Sequence, residues 1–213
     1  MHRVIFRVLA VWCGLLSASA ASAQDVAALT TFERPVPYMR MYGLAQPPYG
    51  FIRFCENTPD ECNPALQEDS RFYASPERLS ELDDVNRRVN RAIEPRTDLE
   101  IYGVNEYWTL PSKYGDCEDY ALLKRHDLMR MGWPSSALLM TVVRDEKGEG
   151  HAVLTARTAQ GDFVLDNKID DVRLWSRTPY EFVMRQSYIN PRVWVSLDPS
   201  QGTSPASIAG VDH

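Results

Sequence analysis

Tyr114-Gly115-Asp116-Cys117-Glu118-Asp119-Tyr120 sets a glycine turn and an acid directly before a cysteine, and an apolar-periodic run follows. The run fits a helix from Cys117 to Met131, with Tyr120, Ala121 and Leu128 on its inner face and Lys124 snorkelling from it. Gly132 and Pro134 stop it. A thiol at a helix start meets unpaired backbone N–H groups and the positive end of the helix dipole, and both favour the thiolate. Downstream, Gly150-His151 and Asp166-Asn167 each belong to a strand-like segment. Cys, His and Asp in that order, on one helix and two strands, point to a cysteine hydrolase or acyltransferase.

The geometry depends on strand register. Leu138 to Arg144, His151 to Arg157 and Phe163 to Asp166 read as strands, with a fourth over Tyr188 to Leu197. If the second and third pair around Thr158–Gly161, opposed residue numbers summing to 317 put His151 directly across from Asp166. At 319 the two are diagonal on one face. Either register holds the Cβ atoms within roughly 5–8 Å. A slip by one residue would separate them. Taken singly, His151 also fits a surface residue after a turn, and Asp166 a strand-end turn residue.

Asp116, Glu118 and Asp119 flank the thiol with negative charge, which opposes its ionisation. Asp116 is a natural N-cap and Asp119 stands where a capping-box acid would. Alternatively, hard carboxylate oxygens in one turn suit Ca²⁺, although no EF-hand loop pattern is present.

Ahead of this region, Ser75-Pro76-Glu77 opens a helix carrying Leu79, Leu82, Val85, Val89 and Ile93 on one face, and Pro95 ends it. Helices first and an antiparallel meander after them make an α+β chain. Residues 1–23 read as a signal peptide, with Arg3 and Arg7 before an apolar stretch and Ala21-Ser22-Ala23 as the cleavage site. No further run is long and apolar enough to anchor the chain in a membrane. Residues 24–74 form an irregular, proline-rich segment with a disulfide loop, 75–199 the core, and 200–213 a disordered tail. The mature chain has 21 Lys and Arg against 29 Asp and Glu, a net charge of −8, and no basic patch suited to nucleic acid. It retains three cysteines. Asn57, Pro59 and Asp60 let Cys55 and Cys62 meet around a short loop, which leaves Cys117 free. A buried inert thiol and an intermolecular disulfide are the alternatives for that residue.

Gly115-Asp116-Cys117-Glu118-Asp119-Tyr120-Ala121-Leu122-Leu123-Lys124-Arg125, Gly150-His151-Ala152-Val153-Leu154 and Val164-Leu165-Asp166-Asn167 together resemble the bacterial transglutaminase-like cysteine peptidases. Asp84 to Asn90 and Tyr107-Trp108-Thr109-Leu110-Pro111 are similar to that family's preceding helix and loop. The resemblance implies a papain/transglutaminase-like core and a Cys117, His151, Asp166 triad. It also implies calcium at Asp116, Glu118 and Asp119, and a groove lined by Trp108, which equally fits a core aromatic. LapG-type members of the family are calcium-dependent periplasmic proteases. They release a surface adhesin and are sequestered by an inner-membrane cyclic-di-GMP receptor. The same acyl-enzyme could serve a transglutaminase or amidase, and a non-catalytic calcium-binding module is a third reading.

Overall fold

The computed structural model describes residues 36–63 and 71–201. The expected signal peptide, the first part of the leading segment and residues 202–213 of the expected tail lie outside the described residues. From the N-terminal side the elements are β1 (Leu44–Ala45), α1 (Tyr49–Asn57), α2 (Pro76–Ala92), β2 (Glu94–Pro95), α3 (Asp98–Tyr102), β3 (Tyr114–Gly115) and α4 (Cys117–Arg130). The meander follows as β4 (Leu138–Arg144), β5 (Gly150–Thr158), β6 (Gly161–Leu165), β7 (Arg173–Leu174), β8 (Glu181–Gln186) and β9 (Trp194–Ser196). Seven strands form one antiparallel sheet in the order β1-β9-β8-β4-β5-β6-β7. β2 and β3 make a separate parallel pair.

Alternation along the strands sends Leu138, Met140, Leu154, Ala156 and Leu165 into the main core. There they meet Phe51 and Phe54 of α1, Leu82, Val85 and Val89 of α2, and Tyr120, Ala121, Leu122 and Leu128 of α4. Val143, Val153, Val164, Tyr180 and Phe182 form a smaller cluster. α2 starts as its sequence dictates: the Ser75 hydroxyl accepts the Arg78 N–H at 3.3 Å and Pro76 occupies the first turn.

Three expectations are corrected. The proline-rich segment is not wholly irregular, since Tyr49–Asn57 is helical directly after Pro47-Pro48. Proline is tolerated at a helix start because the N–H it lacks has no partner there, and Phe51, Phe54 and Cys55 follow at helical spacing. Of the strand expected over Tyr188–Leu197 only Trp194–Ser196 pairs, as β9, and β8 over Glu181–Gln186 precedes it unforeseen. Asn190-Pro191 turns the chain between them: the Asn190 carbonyl accepts Val193 N–H at 2.9 Å and its side chain accepts Arg192 N–H at 3.0 Å. Lys124 does not snorkel, being fully buried in a helix that is covered on almost every side. Arg125 is buried as well. It donates to the carbonyls of Leu138 and Glu61 at 3.1 and 2.8 Å, tying α4 to β4 and to the turn after α1.

Cys55 and Cys62 form the expected disulfide with Cα atoms 5.6 Å apart, and Cys117 is free. Replacing Cys55 and Cys62 by serine should lower stability by about 2–3 kcal/mol, the loop-closure entropy of so short a ring. Denaturant unfolding checks this, and thiol labelling of the non-reduced protein should modify Cys117 alone.

Candidate active site

The start of α4 is fixed from behind by a close approach. A side chain at Gly115 would put its Cβ 2.8 Å from Asp119 Oδ2, so only glycine lets β3 pass so near the helix. Asp119, fully buried, accepts the Thr109 N–H at 2.9 Å through Oδ1. It therefore secures the loop carrying Trp108. Asp116 sits in the N-cap position but makes no side-chain cap hydrogen bond. Its carboxylate instead accepts the backbone N–H of Asp98 at 3.2 Å, from the first turn of α3.

Cys117 is half-buried, and its Sγ donates to Glu118 Oε2 at 3.1 Å. Burial, and then the Glu118 charge, push this thiol well up. Burial and Asp116 push Glu118 up to about 9. Burial raises Asp119 to about 8 against the Thr109 N–H. Burial, helped by the charges of Asp116 and Glu106, raises Asp98 to about 6 against the Tyr107 N–H. Asp98, Asp116 and Glu118 each present an oxygen within 4.8 Å of the others. Asp98 Oδ1, Asp116 Oδ1 and Asp119 Oδ2 are buried without a hydrogen-bond partner. Three converging carboxylates, two of them with an unsatisfied oxygen, are an all-oxygen donor set of the kind hard cations require. Asp119 is not among the three. Asp98, which sequence reasoning missed, completes this group. The capping box Thr97-Asp98-Leu99-Glu100 was legible, but the β2–β3 pairing that carries Asp98 to Asp116 was not.

β5 and β6 pair with Leu154 opposite Leu165 and Thr158 opposite Gly161, the register summing to 319. His151 and Asp166 are thus diagonal, and His151 Nε2 lies 2.9 Å from Asp166 Oδ1 with both side chains buried. Tyr180 donates its hydroxyl to Asp166 Oδ2, and the Lys168 N–H donates to Oδ1 at 3.0 Å. Burial would raise the Asp166 carboxyl, but bonds from His151, Tyr180 and Lys168 outweigh it and hold the group below the usual range. Burial and the Asp166 charge push the Tyr180 phenol up, so it remains a donor. The Tyr180 ring stands edge-on to His151, centroids 5.7 Å apart. Nothing near Tyr180 in the sequence marked it for this place.

Cys117 and His151 line one cavity of about 270 Å³ with Glu118, Ala152, Trp108 and Glu106. Trp108 fits both of its expected readings. It is 5% exposed and packs edge-on against Phe51 at 5.8 Å, yet it also walls the cavity, where its indole N–H donates to Glu106 Oε1 at 2.6 Å. A Cβ at Gly50 would lie 2.3 Å from Trp108 Cδ1, so α1 braces this wall directly.

A free thiol at a helix start and a buried histidine thus line one cavity. The chain belongs to the bacterial transglutaminase-like cysteine proteinases, whose family model matches residues 41–202, and it is a cysteine peptidase of the transglutaminase-like superfamily. Solved structures similar to it include calcium-bound Legionella pneumophila LapG, at 23% identity and a TM-score of 0.48, covering 64% of this chain and 80% of that one. LapG of the same organism treated with EGTA is similar at 26% identity and a TM-score of 0.47, covering 63% and 75%. A search of curated proteins gives no match. Among the described residues no helix is long and apolar enough to cross a membrane.

The buried acids set a pH dependence. In the folded protein Asp98, Glu118 and Asp119 keep protons to higher pH than in the unfolded chain. The folded state thus binds more protons, and stability falls as pH rises through that interval. Asp145 and Asp166 act oppositely, but only at lower pH, because their folded values lie below the usual one. Lys124, brought down to about 7 by burial, begins to act above that value. In chelator, the thermal midpoint should therefore decline from about pH 4.5 to 7. A flat or rising profile would remove acid crowding as its cause.

Proposed function

We propose that the protein is an exported peptidase in which Cys117 is the nucleophile, His151 the general acid and base, and Asp166 the orienting acid. We also propose that Asp98, Asp116 and Glu118 hold calcium. The observation that carries this reading is the bond from His151 Nε2 to Asp166 Oδ1, made by a histidine that shares the cavity with a free thiol at a helix start. It leaves Nδ1 to serve the sulfur. The Cys117 thiolate attacks the scissile carbonyl carbon, and the first-turn N–H groups of α4 stabilise the oxyanion. His151 donates its proton to the leaving amine as the C–N bond breaks and a thioester remains. It then takes a proton from water, whose oxygen attacks the thioester and frees the thiol. Asp166 balances the imidazolium charge and fixes the ring.

Three partnerless carboxylate oxygens around the site, with no basic side chain bonded to them, support the cation. When bound, calcium supplies positive charge that offsets the acids and favours the Cys117 thiolate. Asp119 serves behind this site by holding the Trp108 loop. The proposed substrate is an exported protein such as the N-terminal region of a surface adhesin, with a cyclic-di-GMP receptor as inhibitory partner. The resemblance of the Cys117, His151 and Asp166 motifs to LapG-type members supports both, and supports a periplasmic location.

Calorimetry on the mature protein should register calcium binding, weakened by Asp98→Asn and by Glu118→Gln. Peptide-bond cleavage should stop in chelator and return with Ca²⁺ but poorly with Mg²⁺, which keeps its waters. His151→Ala should abolish cleavage, and Asp166→Asn should slow it by about 10³–10⁴-fold with the fold intact. Incorporation of a labelled amine in place of hydrolysis would identify a transamidase.

A further inference from the structure

Asp166 lies just beyond the last paired residue of β6. The chain joins β7 only at Arg173, so the sheet itself does not hold loop 166–172. α2 holds it instead. The Asn90 side-chain amide donates to the backbone carbonyl of Asp166 at 2.9 Å and to the Asp170 carboxylate at 2.9 Å. The Asn86 amide, fully buried, donates to the carbonyls of Ile169 and Asp170 at 3.0 and 2.8 Å. Asp83 Oδ1 accepts the Val172 N–H at 3.0 Å. Asp83, Asn86 and Asn90 follow i, i+3, i+7 spacing and so form one stripe. Asparagine is a poor residue for a helix interior, and burying its amide is costly unless the donors are used. Here all four donor bonds go to the loop that begins at Asp166.

We propose that Asn86 and Asn90 are positioning residues of the catalytic centre: α2 grips loop 166–172 through their amides and thereby aims the Asp166 carboxylate at His151. This rests on the reading of Cys117, His151 and Asp166 as a triad. The donors matter more than the side-chain volume, since both amide oxygens are without a partner. Asn90→Asp keeps the shape but turns an anion toward the Asp166 carbonyl and the Asp170 carboxylate. Only Asn90 needs to be varied. It is partly exposed, whereas Asn86 is sealed in the core.

The test uses mature protein with excess calcium and two readouts. One is the downfield proton signal of the His151 ring N–H bonded to Asp166, assigned by its loss in His151→Ala. The other is the rate of Cys117 alkylation by iodoacetamide at one fixed pH. Asn90→Asp and Asn90→Ala should move or broaden the imidazole signal and slow alkylation, by up to about 10²-fold for a displacement near 1 Å, while unfolding stays cooperative. Arg87→Ala, which removes only the contacts of Arg87 with the outer loop acids Asp170 and Asp171, should leave both readouts at wild-type values. If both Asn90 variants keep the wild-type signal and rate, however much stability they lose, α2 is merely structural and the proposal is overturned. If His151→Ala leaves alkylation unchanged, the triad reading itself fails, and the positioning role falls with it whatever the Asn90 variants do.

Discussion

Carboxyl groups buried beside a thiol are the constraint on which the remainder of this structure turns. Asp98, Asp116, Glu118 and Asp119 meet at the first turn of α4, and none forms an ion pair with a basic side chain among the described residues. Burial and mutual repulsion raise three of them, and the sulfur with them. A helix start alone would favour thiolate through its dipole, but that effect is about 1 kcal/mol and fades within a turn. Making a thiol ten times harder to ionise costs about 1.4 kcal/mol, which is already enough to cancel the dipole. Burial and the neighbouring charges, not the helix dipole, therefore set the ionisation of Cys117.

The other half of the centre follows the opposite logic. Asp166 receives donors from His151, Tyr180 and Lys168, and its backbone carbonyl is capped by Asn90. These bonds outweigh its burial and keep it ionised. The two acidic environments thus differ: around Cys117 three carboxylate oxygens lack a partner, whereas both oxygens of Asp166 are supplied with donors. The first is left with uncompensated charge; the second is already set by protein atoms.

Much of this was legible in the residues. Glycine-acid-cysteine before an apolar-periodic run fixed α4, and alternation with turn residues fixed β4, β5 and β6 nearly to their ends. Turn formers between Cys55 and Cys62 gave the disulfide. The register was left between two values because period-two alternation is the same in both, and only three-dimensional pairing distinguishes 319 from 317. Asp98 and Tyr180 were hidden for another reason. Each reaches the site through contacts between segments distant in sequence, and no local pattern encodes such a meeting. Lys124 misled because a helix inside a domain, covered on most sides, breaks the rule that charge marks a solvent face.

Gly115 and Asp119 form a single steric unit. No β-carbon fits at position 115 while the Asp119 carboxyl stands 2.8 Å from where it would be. That carboxyl in turn holds the Thr109 amide. A β-carbon at position 115 would also meet Asp119 Cβ at 2.8 Å, so it would displace the start of α4 and strain the tether of the Trp108 loop. The absent side chain at position 115 therefore shapes the cavity wall at a distance, through the space it leaves for Asp119 and the loop that Asp119 holds.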